Sequence, residues 1–321
     1  MLKSVLIVDE MHPSIVPLLG NEGYKVDYEP QISAGEVLDR VADYSGLVVR
    51  SKLVINKLFL EKCVKLEFIA RAGAGMDQID VKAAESKGIY LLNAPEGNQD
   101  ALAEHSIAML LTLFNNLLVG DIQIRGKVWD REGNRGYELK GKTVAIIGFG
   151  HMGDAFARRL TSFGCKVIAY DKFKRGFSNM RVEEASMMEV YVEADIVSLN
   201  VPLTAETRQM VNAEFIERFQ KPIWLLNTSR GEVVVLKDLL GGLKSGKIRG
   251  AALDVLENEK LHSFTPEQEN TFGELAQMKN VLFSPHVAGW SFESYERINQ
   301  VLVEKIRKLK LKETKTPSTS L

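Results

Sequence analysis

The chain has 321 residues, of which 45% are hydrophobic and 26% charged, and its formal net charge is −1. These values are ordinary for a globular protein, and the nearly neutral charge argues against a nucleic-acid-binding or membrane-binding surface. The length is sufficient for two domains of common size.

The cysteine content and the most apolar stretch narrow the class further. Cys63 and Cys165 lie far apart without metal-ligand spacing, so we predict two free thiols, no metal site and a reducing, cytoplasmic location. No secretory signal pattern opens the sequence. Residues 107–119 are apolar but include Asn115 and Asn116, and this stretch is too short to span a bilayer. We interpret it as part of a buried interface helix.

The first hundred residues alternate between short apolar runs and helical patterns. Strands are predicted at residues 5–8, 25–28, 47–49, 68–70 and 90–92, and helices at 13–19, 35–42, 56–62 and 81–87. Strands this short and apolar are typical of a buried parallel sheet. A long helical pattern follows at residues 99–119 and is predicted to bridge two domains.

The segment from Val144 to Asp171 has the strongest pattern in the chain. A β-branched run at 144–147 precedes Gly148, Gly150 and Gly153, and a helical pattern leads to a second strand at 166–170 that ends at Asp171. In a dinucleotide-binding turn the first glycine permits the tight bend, the second admits the pyrophosphate and the third allows close helix packing. The helix N-terminus attracts phosphate, and Asp171 can accept bonds from the ribose hydroxyls. The alternative is an ordinary glycine turn of an α/β protein.

A second series of strands and helices follows this motif. Strands are predicted at residues 196–199, 223–226, 251–255 and 281–284, with helices at 236–244 and 295–309 and a frayed tail at 310–321. Two such series predict an α/β protein with two doubly wound parallel-sheet domains. The last helix is expected to return to the first domain. The domains are therefore predicted at residues 1–98 plus 287–321, and at 99–286.

Polar residues follow several strands of the second series. Arg230 comes after the strand at 223–226, Asp254 ends the strand at 251–255, Glu259 follows it, and His286 comes after the strand at 281–284. The carboxyl ends of parallel strands face the ligand crevice. A guanidinium suits a carboxylate ligand, and a histidine whose second ring nitrogen bonds Glu259 can exchange a proton with a hydroxyl. The alternatives are a surface arginine and a structural histidine.

The first series offers a second group of polar positions. Arg50 and Ser51 follow the strand at 47–49, Ala74 and Gly75 follow the strand at 68–70, and Asn98 opens the long helix. Exposed backbone N–H groups beside small residues can bind an anion. These residues could contact an anionic substrate, or they could be turn residues, a solvated arginine and a helix cap.

Several motifs together resemble the NAD-dependent D-2-hydroxyacid dehydrogenases over nearly the whole length. They are RAGAGMDQID, LLNAPEGNQDALAEH, GKTVAIIGFGHMG, DIVSLNVPLT, NTSRGEVV, GAALDVLENE and SPHVAGW. The resemblance implies a flavodoxin-like substrate domain and a Rossmann NAD domain with a cleft between them. It implies hydride transfer between NAD and C2 of a small 2-hydroxy or 2-oxo acid, and a homodimer, or a tetramer, built on the nucleotide domains and the long helix.

The resemblance also implies roles for individual residues. The catalytic residues would be Arg230, which holds the substrate, His286, the acid and base, and Glu259, which polarises His286. NAD would be bound by Gly148, Gly150, His151, Met152, Gly153, Asp171, Val201, Pro202, Thr207, Thr228, Ser229, Asp254, His286 and Gly289. The substrate would be bound by Arg50, Ser51, Ala74, Gly75, Asn98, Arg230 and His286.

Within the family, the VRS and APEGN segments are most similar to the 3-phosphoglycerate dehydrogenases, in a short form without a regulatory domain. This favours oxidation of 3-phospho-D-glycerate in serine biosynthesis. The alternatives are a glyoxylate, hydroxypyruvate or other D-2-hydroxyacid reductase and a non-enzymatic NAD(H)-sensing corepressor. The sequence departs from the family pattern at Lys260, where proline is usual, at Asn200, where histidine is frequent, and at residues 262–274, where the polar sequence suggests a longer loop.

Overall fold

A computed structural model of the protein describes residues 3–313. The chain divides into two compact units. The first unit comprises Met1–Asn98 and Trp290–Leu321, and the second unit comprises Gln99–Gly289. The boundaries thus fall after residues 98 and 289, whereas the predicted boundaries fall after residues 98 and 286. Most of the tail predicted to fray, residues 314–321, lies outside the described residues.

The elements follow one another in a regular β/α order. The elements up to residue 93 are β1 (Ser4–Ile7), α1 (Ile15–Asn21), β2 (Lys25–Tyr28), α2 (Ala34–Arg40), β3 (Gly46–Val49), α3 (Lys57–Lys62), β4 (Phe68–Arg71), α4 (Val81–Ser86) and β5 (Tyr90–Asn93). The later elements are α5 (Pro95–Phe114), α6 (Leu117–Arg125), β6 (Thr143–Ile147), α7 (His151–Leu160), β7 (Lys166–Tyr170), β8 (Glu183–Glu184), α8 (Met187–Glu193), β9 (Ile196–Leu199), α9 (Ala213–Glu217), β10 (Ile223–Asn227), α10 (Leu236–Ser245), β11 (Ile248–Leu253), α11 (Pro266–Ala276), β12 (Val281–Phe283) and α12 (Phe292–Glu313).

The first unit is built on a five-stranded parallel sheet in the order β2-β1-β3-β4-β5. Successive strand residues point to opposite faces of a sheet. Leu6 therefore joins the apolar cluster on one face, and Val5 and Ile7 join the cluster on the other. The second cluster also contains Leu302 and Ile306 from α12. The last helix thus completes the core of the first unit.

The second unit is built on a seven-stranded parallel sheet in the order β12-β11-β10-β9-β6-β7-β8. The order reverses between β6 and β9, which is the topological switch point where doubly wound sheets bind ligands. Buried clusters cover both faces, with Val144 and Ile146 in one and Ala145 and Ile147 in the other. The two parallel sheets confirm the predicted fold class.

The predicted helix at residues 99–119 is wrong in its limits. The observed helix α5 begins earlier, at Pro95, and ends at Phe114. The axis of the next helix, α6, is bent by 59° from that of α5. The break occurs because Asn116 adopts a left-handed conformation, with φ of 50°, which asparagine tolerates better than most residues. Among residues 3–313, no single helix is long and apolar enough to cross a membrane, although the bent pair α5 and α6 has the length and composition when taken together.

The prediction of a polar loop at residues 262–274 is also wrong. Most of this stretch is α11, whose first turn has Pro266 and a reciprocal cap between Thr265 and Gln268. Such a cap satisfies the free N–H groups at the start of a helix. Thr271 and Leu275 are buried on its inner face. The sequence shows few apolar residues here, but its capping signals are those of a helix.

Candidate active site

The glycine loop joins β6 to α7 at the switch point of the second unit. Gly148 has φ of 96°, and a Cβ atom there would lie 2.5 Å from the carbonyl oxygen of Asn200. A Cβ atom on Gly153 would lie 2.3 Å from the carbonyl oxygen of Gly148, whereas one on Gly150 would meet nothing within 4 Å. Gly148 and Gly153 are thus required for turn geometry and packing, while Gly150 leaves open space before the N-terminus of α7. A helix N-terminus with open space before it is an arrangement that can bind phosphate groups.

Asp171 directly follows β7 and organises the rim of this loop. Its Oδ2 accepts a hydrogen bond from Phe149 N at 2.8 Å, and its Oδ1 accepts from Phe173 N at 2.9 Å and Lys174 N at 3.0 Å. Partial burial raises the pKa of Asp171, but these three donors and the charge of Lys174 outweigh that effect, so the pKa lies below its ordinary value. Asp171 is therefore a carboxylate, the form that accepts bonds from ribose hydroxyls.

The cations near Asp171 have partners of their own. Lys172 forms an ion pair with Glu206, and Lys174 Nζ donates to the carbonyl oxygen of Phe149 at 2.8 Å. Arg175 Nη1 donates to the carbonyl oxygen of Lys174 at 2.8 Å. Glu206 thus offsets the charge of Lys172. Lys174 and Arg175 Nη1 bond neutral carbonyl oxygens, one of them that of Asp171 itself, and so keep positive charge beside the carboxylate.

The remaining predicted cofactor residues lie on several segments of the same unit. His151 and Met152 open α7, and Thr207 Oγ1 donates to the carbonyl oxygen of Pro202 at 2.6 Å in the loop after β9, which also contains Val201. Thr228 follows β10, and its Oγ1 is buried without a hydrogen-bond partner among the described residues. A buried hydroxyl without a partner needs an explanation. An additional polar ligand is one such explanation, and together with the space at Gly150 it fits a dinucleotide.

Glu259 and His286 form the pair that the sequence predicted. His286 Nδ1 lies 2.8 Å from Glu259 Oε1 and 3.0 Å from Oε2, and both side chains are about half exposed. The carboxylate therefore fixes Nδ1 as the protonated nitrogen and leaves Nε2 to exchange a proton with a ligand. His286 also has φ of 54°, which is uncommon for a residue other than glycine. A strained conformation persists only when its surroundings hold it.

Asp254 holds that conformation. It is buried just beyond β11, and its carbonyl oxygen accepts from His286 N at 2.7 Å. Its Oδ1 accepts from Ser284 Oγ at 2.5 Å and Val287 N at 2.9 Å, and its Oδ2 accepts from Ala288 N at 2.9 Å. Asp254 thus bonds residues on both sides of the histidine. Its role in binding NAD stays a prediction, as does that of Gly289, which follows this loop.

His105 and Ser284 extend the network, and the sequence analysis singled out neither. His105 Nε2 on α5 lies 3.0 Å from Ser284 Oγ and 3.7 Å from Asp254 Oδ1. Since Ser284 donates its proton to the carboxylate, it accepts one from His105 Nε2. The contacts that link His105, Ser284 and Asp254 cannot be predicted from the sequence, because the three residues are far apart in it.

Arg230 belongs to a turn that Asn227 shapes from the end of β10. The buried Asn227 side chain donates to the carbonyl oxygen of Arg230 at 3.0 Å and accepts from Ser229 N at 3.0 Å and Ser229 Oγ at 2.8 Å. Arg230 Nη1 donates to the carbonyl oxygen of Ser229 at 2.7 Å. A Cβ atom on Gly231 would lie only 1.8 Å from the carbonyl oxygen of Leu256. The Arg230 turn and the segment leading to Glu259 are therefore packed backbone to backbone.

Of the predicted substrate residues, Arg230 and His286 belong to the second unit and the other five lie in the first. Four of those five follow strands of the first unit, and Asn98 lies in the first turn of α5. Arg50 and Ser51 follow β3, and the Asp9 carboxylate fixes this segment by accepting from Arg50 N at 2.7 Å. The N–H groups of Ala74 and Gly75, after β4, donate to none of the described residues. Asn98 Oδ1 is likewise buried without a partner in the described part of the chain. The two N–H groups can donate to an anionic ligand, and Asn98 Oδ1 can accept from a hydroxyl group of a ligand.

Comparison with known proteins shows what this arrangement resembles. Residues 107–288 match the sequence profile described as "D-isomer specific 2-hydroxyacid dehydrogenase, NAD binding domain". A D-3-phosphoglycerate dehydrogenase of Methanocaldococcus jannaschii is 34% identical over 95% of the chain and 57% of its own length, so the chain spans little more than half of that relative. A hydroxypyruvate reductase of Thermotoga maritima is 33% identical over 91% of the chain and 92% of its own length. The structure of D-lactate dehydrogenase from Aquifex aeolicus with NAD and lactic acid superimposes with a TM-score of 0.83 and 27% identity, covering 97% of the chain and 96% of its own.

Proposed function

Because the chain belongs to the family of D-isomer specific 2-hydroxyacid dehydrogenases, we propose that it transfers a hydride between NAD and C2 of a small 2-hydroxy acid. The family's NAD-binding domain lies within the second unit. The observation that carries this proposal is the contact of 2.8 Å between His286 Nδ1 and Glu259, in the same unit as the glycine loop.

The residues of the chain divide the proton chemistry and the binding between them. Bound NAD supplies the hydride acceptor, and NADH supplies the donor. His286 Nε2 takes the proton of the 2-hydroxyl during oxidation and returns it during reduction, while Glu259 stabilises the imidazolium. Arg230 holds the substrate carboxylate and the 2-oxygen with its planar fork of donors.

For the substrate, we propose 3-phospho-D-glycerate, with a role in serine biosynthesis in the cytoplasm. Two observations in the first unit support a substrate with a second anionic group: the half-buried guanidinium of Arg50 and the N–H groups at Ala74 and Gly75. The orphaned Asn98 Oδ1 is an acceptor and suits a hydroxyl group of the substrate. Ser51 can add a hydroxyl donor. The similarity to the hydroxypyruvate reductase keeps reduction of hydroxypyruvate or glyoxylate as the second candidate.

A panel of acids tests this proposal. Purified protein is mixed with 3-phosphoglycerate, D-glycerate, D-lactate, phosphohydroxypyruvate, hydroxypyruvate or glyoxylate, each with NAD(H) and NADP(H), and absorbance of the reduced nicotinamide is followed. Highest kcat/KM on the phosphorylated pair supports the dehydrogenase of 3-phosphoglycerate. Highest kcat/KM on hydroxypyruvate or glyoxylate favours the second candidate, and binding of NADH without turnover of any acid favours a non-enzymatic sensor.

The ionised carboxylate of Asp171 predicts a preference for NAD over NADP, because its negative charge repels a 2′-phosphate. A charge-assisted hydrogen bond is worth roughly 1.5–3 kcal/mol, so Asp171→Ala should weaken use of NAD about 10- to 100-fold and narrow the gap to NADP. The measurement is kcat/KM for both cofactors at saturating substrate. Glu183→Ala is the matched control, because that exposed acid pairs with Lys166 and not with the loop. Equal efficiency of the wild type with NAD and NADP would contradict the assignment.

We also propose that the chain forms a homodimer through α6 of the second unit. None of the residues of α6 is buried, and an exposed apolar surface extends from it to Trp129. Its large apolar side chains are Leu117, Leu118, Ile122, Ile124, Val128 and Trp129, with Ile122 69% and Trp129 84% exposed. Exposed apolar side chains concentrated in one segment are typical of protein interfaces.

Charging this surface should therefore dissociate the dimer. Burial of an isoleucine is worth about 1.5–3 kcal/mol, so Ile122→Glu should raise the dimer dissociation constant at least about tenfold. Sedimentation velocity over a concentration series measures the change. Met188→Glu, at an exposed apolar residue of α8, should leave the distribution unchanged. A wild type that sediments as a monomer at every concentration would refute the proposal.

A further inference from the structure

Arg50 carries a guanidinium whose donors make no hydrogen bond or ion pair with the described residues. The group is half-buried, and burial lowers the pKa of Arg50 even though Tyr295, Asp9 and Glu10 lie close enough to act in the opposite direction. A desolvated cation with unused donors is costly. It gains most from an anion that can take several of those donors at once.

One face of this guanidinium is covered by Trp290 of the same unit. The central carbon of the Arg50 guanidinium lies 3.8 Å from the centroid of the Trp290 ring. At this distance the two planar groups are in contact, and the electron-rich face of the indole attracts the cation. A stack covers a face of the guanidinium and leaves its N–H donors at the edge available.

Both partners of the stack are held in place by their surroundings. Asp9 fixes the backbone by accepting hydrogen bonds from Arg50 N at 2.7 Å and Lys52 N at 3.2 Å. On the other side, the Trp290 ring lies 4.7 Å from that of Tyr295. The position of the guanidinium is therefore set before any ligand arrives.

The start of α12 also orients Trp290. Ser291 N donates to Ser294 Oγ at 2.9 Å, and Ser294 N donates to Ser291 Oγ at 3.0 Å. Tyr295 in turn contacts the ring of His12 edge to face at 5.6 Å. These contacts hold the first residues of α12, and with them the rings of Trp290 and Tyr295, in fixed positions.

We propose that Trp290 is a specificity-determining residue, which holds the Arg50 guanidinium so that its edge donors bind the second anionic group of a 2-hydroxy acid. The inference rests on the proposed dehydrogenase function and adds a residue that selects the substrate. A preorganised side chain loses less entropy when a ligand binds. Trp290 should therefore favour a phosphorylated acid over a small acid that has only one carboxylate.

Replacement of Trp290 by leucine and by phenylalanine tests this selection. Loss of a desolvated cation–π contact should lower kcat/KM for phosphohydroxypyruvate, relative to glyoxylate, by about 5- to 30-fold in Trp290→Leu, mostly through KM. Trp290→Phe keeps an aromatic face and should retain most of the wild-type ratio of kcat/KM for phosphohydroxypyruvate to kcat/KM for glyoxylate. In the background of Arg50→Ala, Trp290→Leu should cause no further change in the ratio. Phe292→Leu is the matched control, because Phe292 is 95% exposed and lies two residues away.

A binding measurement separates this inference from the proposed function. Calorimetric titration with 3-phosphoglycerate should show weaker binding to Trp290→Leu than to the wild type or Trp290→Phe, with thermal unfolding measured for each variant. Equal losses on phosphohydroxypyruvate and glyoxylate, or a loss that persists without Arg50, would overturn the role of Trp290. Absence of 3-phosphoglycerate binding by the wild type would overturn it as well. Retained binding with no turnover of any acid would refute the dehydrogenase function alone.

Discussion

Replacing His286 with glutamine is expected to reduce turnover of the preferred 2-hydroxy acid by about a hundred- to ten-thousand-fold, the usual contribution of a positioned acid and base. Glutamine can still donate a hydrogen bond to Glu259, but it cannot carry a proton to and from the substrate. The measurement is kcat in both directions, with NADH binding followed by fluorescence. Binding of NADH should be retained in large part, because the other predicted NAD contacts, including those of the glycine loop, are unchanged.

Replacing Glu259 with glutamine tests the other member of the pair. The Glu259 carboxylate lies 2.8 Å from Nδ1 of His286 and holds the ring with Nε2 free to exchange a proton. Glu259→Gln should therefore lower kcat in both directions and leave NADH binding unchanged. An unchanged kcat for Glu259→Gln would remove the pair from the mechanism.

Replacing Arg230 with alanine is expected to have the second large effect on catalysis. Loss of an ionic contact that forms with the reacting group costs about 3 kcal/mol or more of transition-state stabilisation, so kcat/KM should fall at least about a hundredfold. The experiment compares Arg230→Ala with Arg230→Lys, which keeps the charge but loses the planar fork. An intermediate rate for lysine would indicate that both the charge and the fork contribute.

The turn itself needs a control, because the Arg230 side chain also donates to the carbonyl oxygen of Ser229. Thermal unfolding of both variants should resemble that of the wild type, since the Asn227 amide shapes the turn from within. A near-native rate for Arg230→Ala would exclude Arg230 from the reaction. An unfolded variant would instead assign the arginine to the stability of the turn.

Local patterns explain why the sheets could be predicted from the sequence. Short runs rich in β-branched residues, such as 144–147 and 196–199, predict buried strands. The spacing of Gly148, Gly150 and Gly153 predicts the turn between a strand and a helix. The pair of His286 and Glu259 follows from strand ends that meet at one edge and from the family resemblance. These features depend on residues that are close in sequence or on a rule of topology.

Features that depend on distant contacts could not be predicted. Nothing in the sequence relates His105 to Ser284, and the stack of Arg50 on Trp290 joins residues 240 positions apart. The break before α6 depends on the left-handed Asn116, and the identical type at Asn115 remains outside that conformation. The helix α11 is not evident in the sequence because its buried residues are Thr271 and Leu275, so no helical period of apolar residues appears.

The contribution of α12 to the first unit has a consequence for the synthesis of the chain. The second unit is one continuous segment, Gln99–Gly289, so its sheet can assemble as soon as that segment has left the ribosome. The first unit has all five of its strands much earlier, but Ile298, Leu302 and Ile306 of its core arrive last. Domains generally fold as units during translation. We therefore expect the second unit to complete its core first, because the first unit keeps one apolar face of its sheet uncovered until its own last helix has been translated.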